Sequence, residues 1–133
     1  MNQPTLCRND IWILQSMDAR QGRQTSLVDV IAHADAVNHA IPVYAELCRA
    51  VFRLSAQGLI VADNEMFELS DSGRQLVAAG RGRNFLDAND RIAEYLGAGA
   101  SEVIGWESEP PQEQRFVTRE RFEQAVYMYR RRF

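Results

Sequence analysis

Lysine is absent from this sequence. All 15 basic side chains are arginine, set against 18 carboxylates for a net charge of −3 in 133 residues. This exclusive use of arginine reads as composition rather than purpose, although arginine grips phosphate and carboxylate in a bidentate way that lysine cannot. Cysteine is scarce. Cys7 and Cys48 do not make a disulfide framework, so the expected compartment is a reducing cytoplasm. No apolar run approaches the roughly 18 residues of a membrane span. The stretch Met1 to Asp10 is polar and lacks the apolar core of a secretory signal. What remains is 46% hydrophobic and 25% charged, the composition of one globular domain able to build a core without disulfides or metal.

Charge is unevenly spread. Residues 1–83 carry a net −1 and residues 84–114 a net −6, with only Arg91 against seven carboxylates. Residues 115–133 carry a net +4. Such an acidic stretch followed by a basic tail can pair within the molecule, pair with a second copy, or form two solvated helix faces.

Helical spacing and capping residues order the chain. Asp10 is placed to cap a helix with Ile11, Leu14 and Met17 on one stripe, which Gly22 breaks. Thr25 or Ser26 caps a second, turning Leu27, Val30, Ile31 and Ala34 inward. Pro42 fits the first turn of a third, with Tyr44, Leu47, Val51 and Leu54 inward and Gly58 as its left-handed stop. Leu59–Ala62 and Met66–Leu69 read as a hairpin about Asp63-Asn64. Ser70 caps a fourth helix ending at Gly80. A fifth, about Asn84 to Leu96, shows Phe85, Ala88, Ile92 and Tyr95 on one stripe before Gly97-Ala98-Gly99-Ala100 stops it. Residues 101–115, with Pro110-Pro111, read as an irregular loop, in which Val103-Ile104 is a candidate strand and Trp106 an anchor. Thr118 caps the last helix, with Phe122, Ala125, Val126, Tyr129 and Phe133 on one face and Val117 stapled to Phe122.

Phe52-Arg53-Leu54-Ser55-Ala56-Gln57-Gly58-Leu59-Ile60 resembles the passage from recognition helix to first wing strand in winged-helix proteins. Phe67-Glu68-Leu69-Ser70-Asp71-Ser72-Gly73-Arg74 resembles their second wing strand and following helix. The likeness covers about residues 9–80. Separately, Asp35-Ala36-Val37-Asn38-His39-Ala40-Ile41-Pro42 is similar to a stretch in a group of small bacterial proteins of unassigned function, which implies no activity. The expectation is therefore a mainly α chain with a small β-hairpin wing. A winged-helix domain at 1–80 is followed by a helical C-terminal extension at 81–133, packing on it and suited to dimerisation.

The winged-helix resemblance implies a DNA-binding, transcription-regulator-like protein whose third helix enters the major groove. With Tyr44, Leu47, Val51 and Leu54 inward, Glu46, Arg49, Arg53 and Gln57 face outward. Arg49, Arg53 and Gln57 suit base edges, and Arg81 and Arg83 suit phosphate beside the wing. The wing itself, with Asp63, Glu65 and Glu68 and no cation, is a poor match to a polyanion. The competing reading is a winged helix used for protein contact or oligomerisation, with Phe122, Val126, Tyr129 and Phe133 as dimer-interface candidates. Tyr127 and Met128 widen the apolar arc before Arg130-Arg131-Arg132. Candidate partners are thus duplex DNA, a second copy, or another protein, and not a membrane.

Other chemistry finds little support. His33 and His39 lack the close ligand spacing of a zinc site with Cys7 or Cys48, and each fits a carbonyl bond at a helix end. Cys48 lies near the inward face of its helix, unsuited to a nucleophile. Gly97-Ala98-Gly99 lacks the strand and third glycine of a dinucleotide loop, and the carboxylates of 84–114 lack the spacing of a hard-cation loop. The sequence predicts a protein that is not an enzyme and needs no cofactor or metal.

Overall fold

The computed structural model describes residues 6–18, 24–63, 65–82, 84–96, 111–112 and 115–132. Their order is α1 (Arg8–Ser16), β1 (Thr25–Ser26), α2 (Leu27–Asn38), α3 (Tyr44–Ala56), β2 (Ile60–Asp63), β3 (Met66–Leu69), α4 (Asp71–Ala79), α5 (Phe85–Tyr95) and α6 (Arg119–Arg132). The fold is mainly helical with a small antiparallel sheet, as the residue pattern predicts. Gly22, Asn64, Gly97-Ala98-Gly99-Ala100, Val103-Ile104, Trp106 and Pro110 lie outside the described residues.

Burial centres on α1. From Asp10 to Met17 every residue but Gln15 is buried, so this helix is enclosed around most of its circumference, unlike a surface helix with one apolar stripe. It packs chiefly on α3, and also on α2, α4 and α5. Its start differs from expectation. Cys7 is the N-cap, and Asp10 sits one turn in, its carboxylate accepting the Cys7 backbone N–H at 3.0 Å. The Trp12 indole N–H donates to the Ala34 carbonyl of α2 at 3.1 Å, and the Gln15 amide reaches Asn89 of α5 at 3.2 Å.

The sheet has the order β1-β3-β2. β2 and β3 pair from Ile60↔Leu69 to Asp63↔Met66, with Glu65 in the turn at φ 66°. β1 pairs through Thr25↔Phe67 and Ser26↔Met66, a strand of two residues, too short to show alternation in sequence. Ser26 ends that strand and also caps α2, accepting the Asp29 N–H at 3.2 Å. The helix expected to include Pro42 instead begins at Tyr44 after an extended Val43. On α5, Ile92 is buried as expected, but Tyr95 is 72% exposed and Asn89 and Ala93 turn inward. Ile92 of α5 and Phe122 and Ala125 of α6 join the same core as Ile11, Leu47 and Phe67, so both C-terminal helices pack on the N-terminal body.

Two glycines shape the passage through the hairpin. Gly58 follows α3 at φ 70°, the left-handed stop expected there. Ser70 caps α4 by accepting the Gly73 N–H at 3.1 Å, and its own N–H donates to the Leu59 carbonyl at 3.0 Å. This draws α4 so close to the hairpin that a Cβ on Gly73 would meet the Leu59 carbonyl oxygen at 2.1 Å. Backbone must shift to admit even a methyl group. Gly73→Ala is expected to destabilise the fold by about 1–3 kcal/mol, read as a lowered midpoint in urea unfolding. An unchanged midpoint would refute the close approach.

Candidate functional site

The outward face expected on α3 is largely closed. Tyr44, Leu47, Val51 and Leu54 are buried as their spacing predicts, but so are Ala45, Cys48 and Ala50. Ala56 is the only residue of this helix in the exposed class. Two neighbours account for this. On one side lies α1. On the other, the segment entering α6 crosses the first turns of α3. The Tyr44 hydroxyl donates to the Val117 carbonyl at 2.6 Å, its ring meets Phe122 at 5.6 Å between centroids, and the Arg119 guanidinium lies 4.9 Å over it.

Arg53 does not project from α3 into solvent as a base reader would. Its side chain is 25% exposed, and Nη1 stands 3.3 Å from Oδ2 of Asp10, which is 1% exposed. Asp10 is one turn into an enclosed helix, and a buried carboxylate requires a cation and donors. Arg53 supplies the cation and the Cys7 N–H a donor. Burial dominates all the same and raises the Asp10 carboxyl above its ordinary 3.8, with Arg53 and the bonds from Cys7 opposing the rise. The Cys7 thiol is pushed up to about 11, first by burial and then by the Asp10 charge. A thiol that high is neutral at physiological pH and a poor nucleophile.

The remaining candidates do not gather into one open surface. Glu46 accepts from the Val43 N–H at 2.9 Å and from the Asn9 amide. Arg49 and Gln57 are half-buried, and both engage other groups of the chain. Arg81 is exposed and lies 3.8 Å from Asp18, beyond the end of α1. Arg83 lies outside the described residues. Arg74, another cation beyond the wing, donates to the Leu69 carbonyl and pairs with Asp71. The wing keeps its acidic character, and its turn residue Glu65 faces Arg121 of α6 at 3.7 Å.

The dimer-interface candidates divide by face of α6. Phe122 is buried, and Val126 and Tyr129 are partly buried against the core. The Tyr129 hydroxyl donates to Asp35 Oδ2 of α2 at 2.6 Å, a bond that raises the phenol's pKa. These three side chains are therefore engaged within their own chain, a correction to the expected interface; Phe133 lies outside the described residues. The opposite face is the open one. Tyr127 is 60% and Met128 49% exposed, beside exposed Arg130 and Arg131. The signal was present in the sequence as two apolar residues off the inward stripe.

Both histidines have local structural settings. His33 Nδ1 lies 3.2 Å from the Ser16 carbonyl, and His39 ends α2 at φ 54°. A cleft of about 240 Å³ lies among Val37, Asn38, His39, Asn84, Phe85 and Leu86, smaller than the roughly 300 Å³ at which ligand pockets begin. Among the described residues no group of three or more His, Cys, Asp or Glu is placed to hold a metal ion. No described helix is long and apolar enough to cross a membrane. Compared with family models, curated proteins and solved structures, the chain matches none of them.

The Asp10–Arg53 pair has a pH signature. Because the folded-state pKa of Asp10 exceeds its ordinary 3.8, protonation contributes stability below that value, lost as pH rises through the folded pKa. Arg53→Ala removes the attraction that restrains the shift, so the loss extends to higher pH and is larger. The variant is expected to cost about 1–3 kcal/mol at neutral pH, a deficit that shrinks as pH falls through the raised folded-state pKa of Asp10 and is smallest once pH reaches its ordinary 3.8. Urea unfolding of both proteins across this range checks it, and a pH-independent deficit would exclude the ionic cause.

Proposed function

We propose that the chain is a winged-helix module used for protein–protein contact rather than for reading duplex DNA. The element order α1-β1-α2-α3-β2-β3, with sheet order β1-β3-β2, supports the winged-helix assignment. The observation that carries the functional reading is the state of α3. The helix that would enter a major groove has Arg53 drawn back onto Asp10 and leaves only Ala56 exposed. A groove-reading helix needs long polar side chains free to meet base edges. It also needs cations nearby, because phosphate neutralisation supplies nearly all non-specific affinity. Here the adjoining wing carries Asp63, Glu65 and Glu68 instead. On α6, Tyr127 and Met128 are exposed next to arginines, and aromatic, Met and Arg side chains are the types enriched in interfaces. A cytoplasmic location fits this reading, since Cys7 and Cys48 are both buried and neither forms a disulfide.

Fluorescence anisotropy with a labelled mixed-sequence duplex tests the reading. Expected is no binding tighter than about 10⁻⁴ M even near 50 mM salt. Tighter binding that falls steeply with added salt, and is weakened by Arg49→Ala, would restore the DNA reading.

A further inference from the structure

The open face of α6 has a charge order that matches itself in reverse. Its inner arc is occupied by Phe122, Ala125, Val126 and Tyr129. At 100° per residue, the outer arc carries Glu120 and Glu123 in its first half, Tyr127 near its middle, and Arg130 and Arg131 at its end. Glu120, Glu123, Tyr127, Arg130 and Arg131 are all exposed. Of the other cations of this helix, Arg121 is directed towards Glu65 and Arg132 towards Asp29 at 3.7 Å, while Arg119 lies over Tyr44 and stands 3.8 Å from Glu123 in a solvent-exposed pair that a partner's cation can share or replace. Within this arc Glu123 before Tyr127 and Arg131 after it are the charges that come to face each other when a second copy runs antiparallel.

We propose that two copies of this chain associate through their α6 helices, antiparallel, about a two-fold axis at Tyr127. With Tyr127 of both copies on the axis, Glu123 stands opposite the partner's Arg131, and Gln124 opposite the partner's Arg130. A parallel arrangement would instead set Glu123 against the partner's Glu123 and Arg131 against the partner's Arg131, so the charges choose the direction. Opposed helix dipoles favour the same choice. Arg131 is already held near the axis: it donates to the Tyr127 hydroxyl at 3.0 Å, and its guanidinium lies 5.6 Å over that ring. Met128 flanks the seam as an adaptable apolar contact. The interface is isologous, so each ion pair occurs twice.

The area limits the strength. The mirrored span 122–132 is about 16 Å long, which gives an interface below the roughly 1,200 Å² of stable complexes, in the class of transient ones. The pairing is therefore concentration-dependent and weakened by salt. It rests on the protein-contact reading above and names the partner for it.

Sedimentation velocity of the full chain over about 1–300 μM, at low and high salt, tests the proposal. Expected is a reversible monomer–dimer equilibrium that shifts to monomer at high salt. Glu123→Arg or Arg131→Glu alone places like charges together twice and weakens association roughly tenfold. The double variant Glu123→Arg/Arg131→Glu restores opposite charges across the axis and recovers most of the loss. Both substituted positions are exposed, and circular dichroism checks that each variant is folded. A monomer throughout at low salt overturns the proposal, as does association that the single reversals leave unchanged or the double variant fails to recover. These outcomes are separate from failure of the protein-contact reading, which duplex binding in the anisotropy experiment would signal whatever the oligomeric state.

Discussion

The structure depends on enclosing α1. A helix buried around most of its circumference gives the chain a central axis on which α2, α3, α4 and α5 all pack, and it also removes water from Asp10, Trp12 and Ser16 and from part of Gln15. Each group must then be satisfied from another element. The Trp12 N–H finds the Ala34 carbonyl, Ser16 Oγ turns back to the Trp12 carbonyl at 2.8 Å, and Gln15 finds Asn89. Asp10 makes the largest demand, because its alternative to a partner is an isolated charge in the core. That demand is met by Arg53.

The consequence for α3 is direct. The same guanidinium cannot hold a buried carboxylate and read a base edge, and removing one partner from a buried pair costs more than an exposed contact returns. Enclosure of α1 therefore reaches α3, by drawing inward a cation whose helical position alone would face solvent. The segment before α6 closes the other side, since Tyr44 needs an acceptor for its buried hydroxyl and takes the Val117 carbonyl. A helix held in this way stabilises the body more readily than it contacts a polyanion.

The same division of labour appears on α6. One arc is needed by the core and by Asp35, while the opposite arc carries the exposed Tyr127 and Met128 beside Arg130 and Arg131. Arginine in place of lysine has a consequence here. A guanidinium stacks on an aromatic ring and still offers donors to a carboxylate, as Arg131 over Tyr127 is set to do.

Much of the fold was legible because capping, turns and helical periodicity act over a few residues. Ser26, Ser70, Asn84 and Thr118 each accept a backbone N–H three residues on, and Gly58 takes the left-handed stop. The inward stripe of α3 and the β3 span followed from the same local rules. β1 was not legible, since two residues carry no period, and its pairing with β3 joins segments some forty residues apart. The candidate site was legible only in part. Local sequence alone determined where most helices and turns fall and the inward stripes of α2 and α3, though not the enclosure of α1 or the exposure of Tyr95 on α5. Tertiary structure decided the partners of the long polar side chains that meet the core: Arg53 meets Asp10 43 residues away, and Tyr129 meets Asp35 94 residues away. The physical reason is that desolvation is a property of the packed core, and a side chain's electrostatic obligations arise only once the core has closed around it.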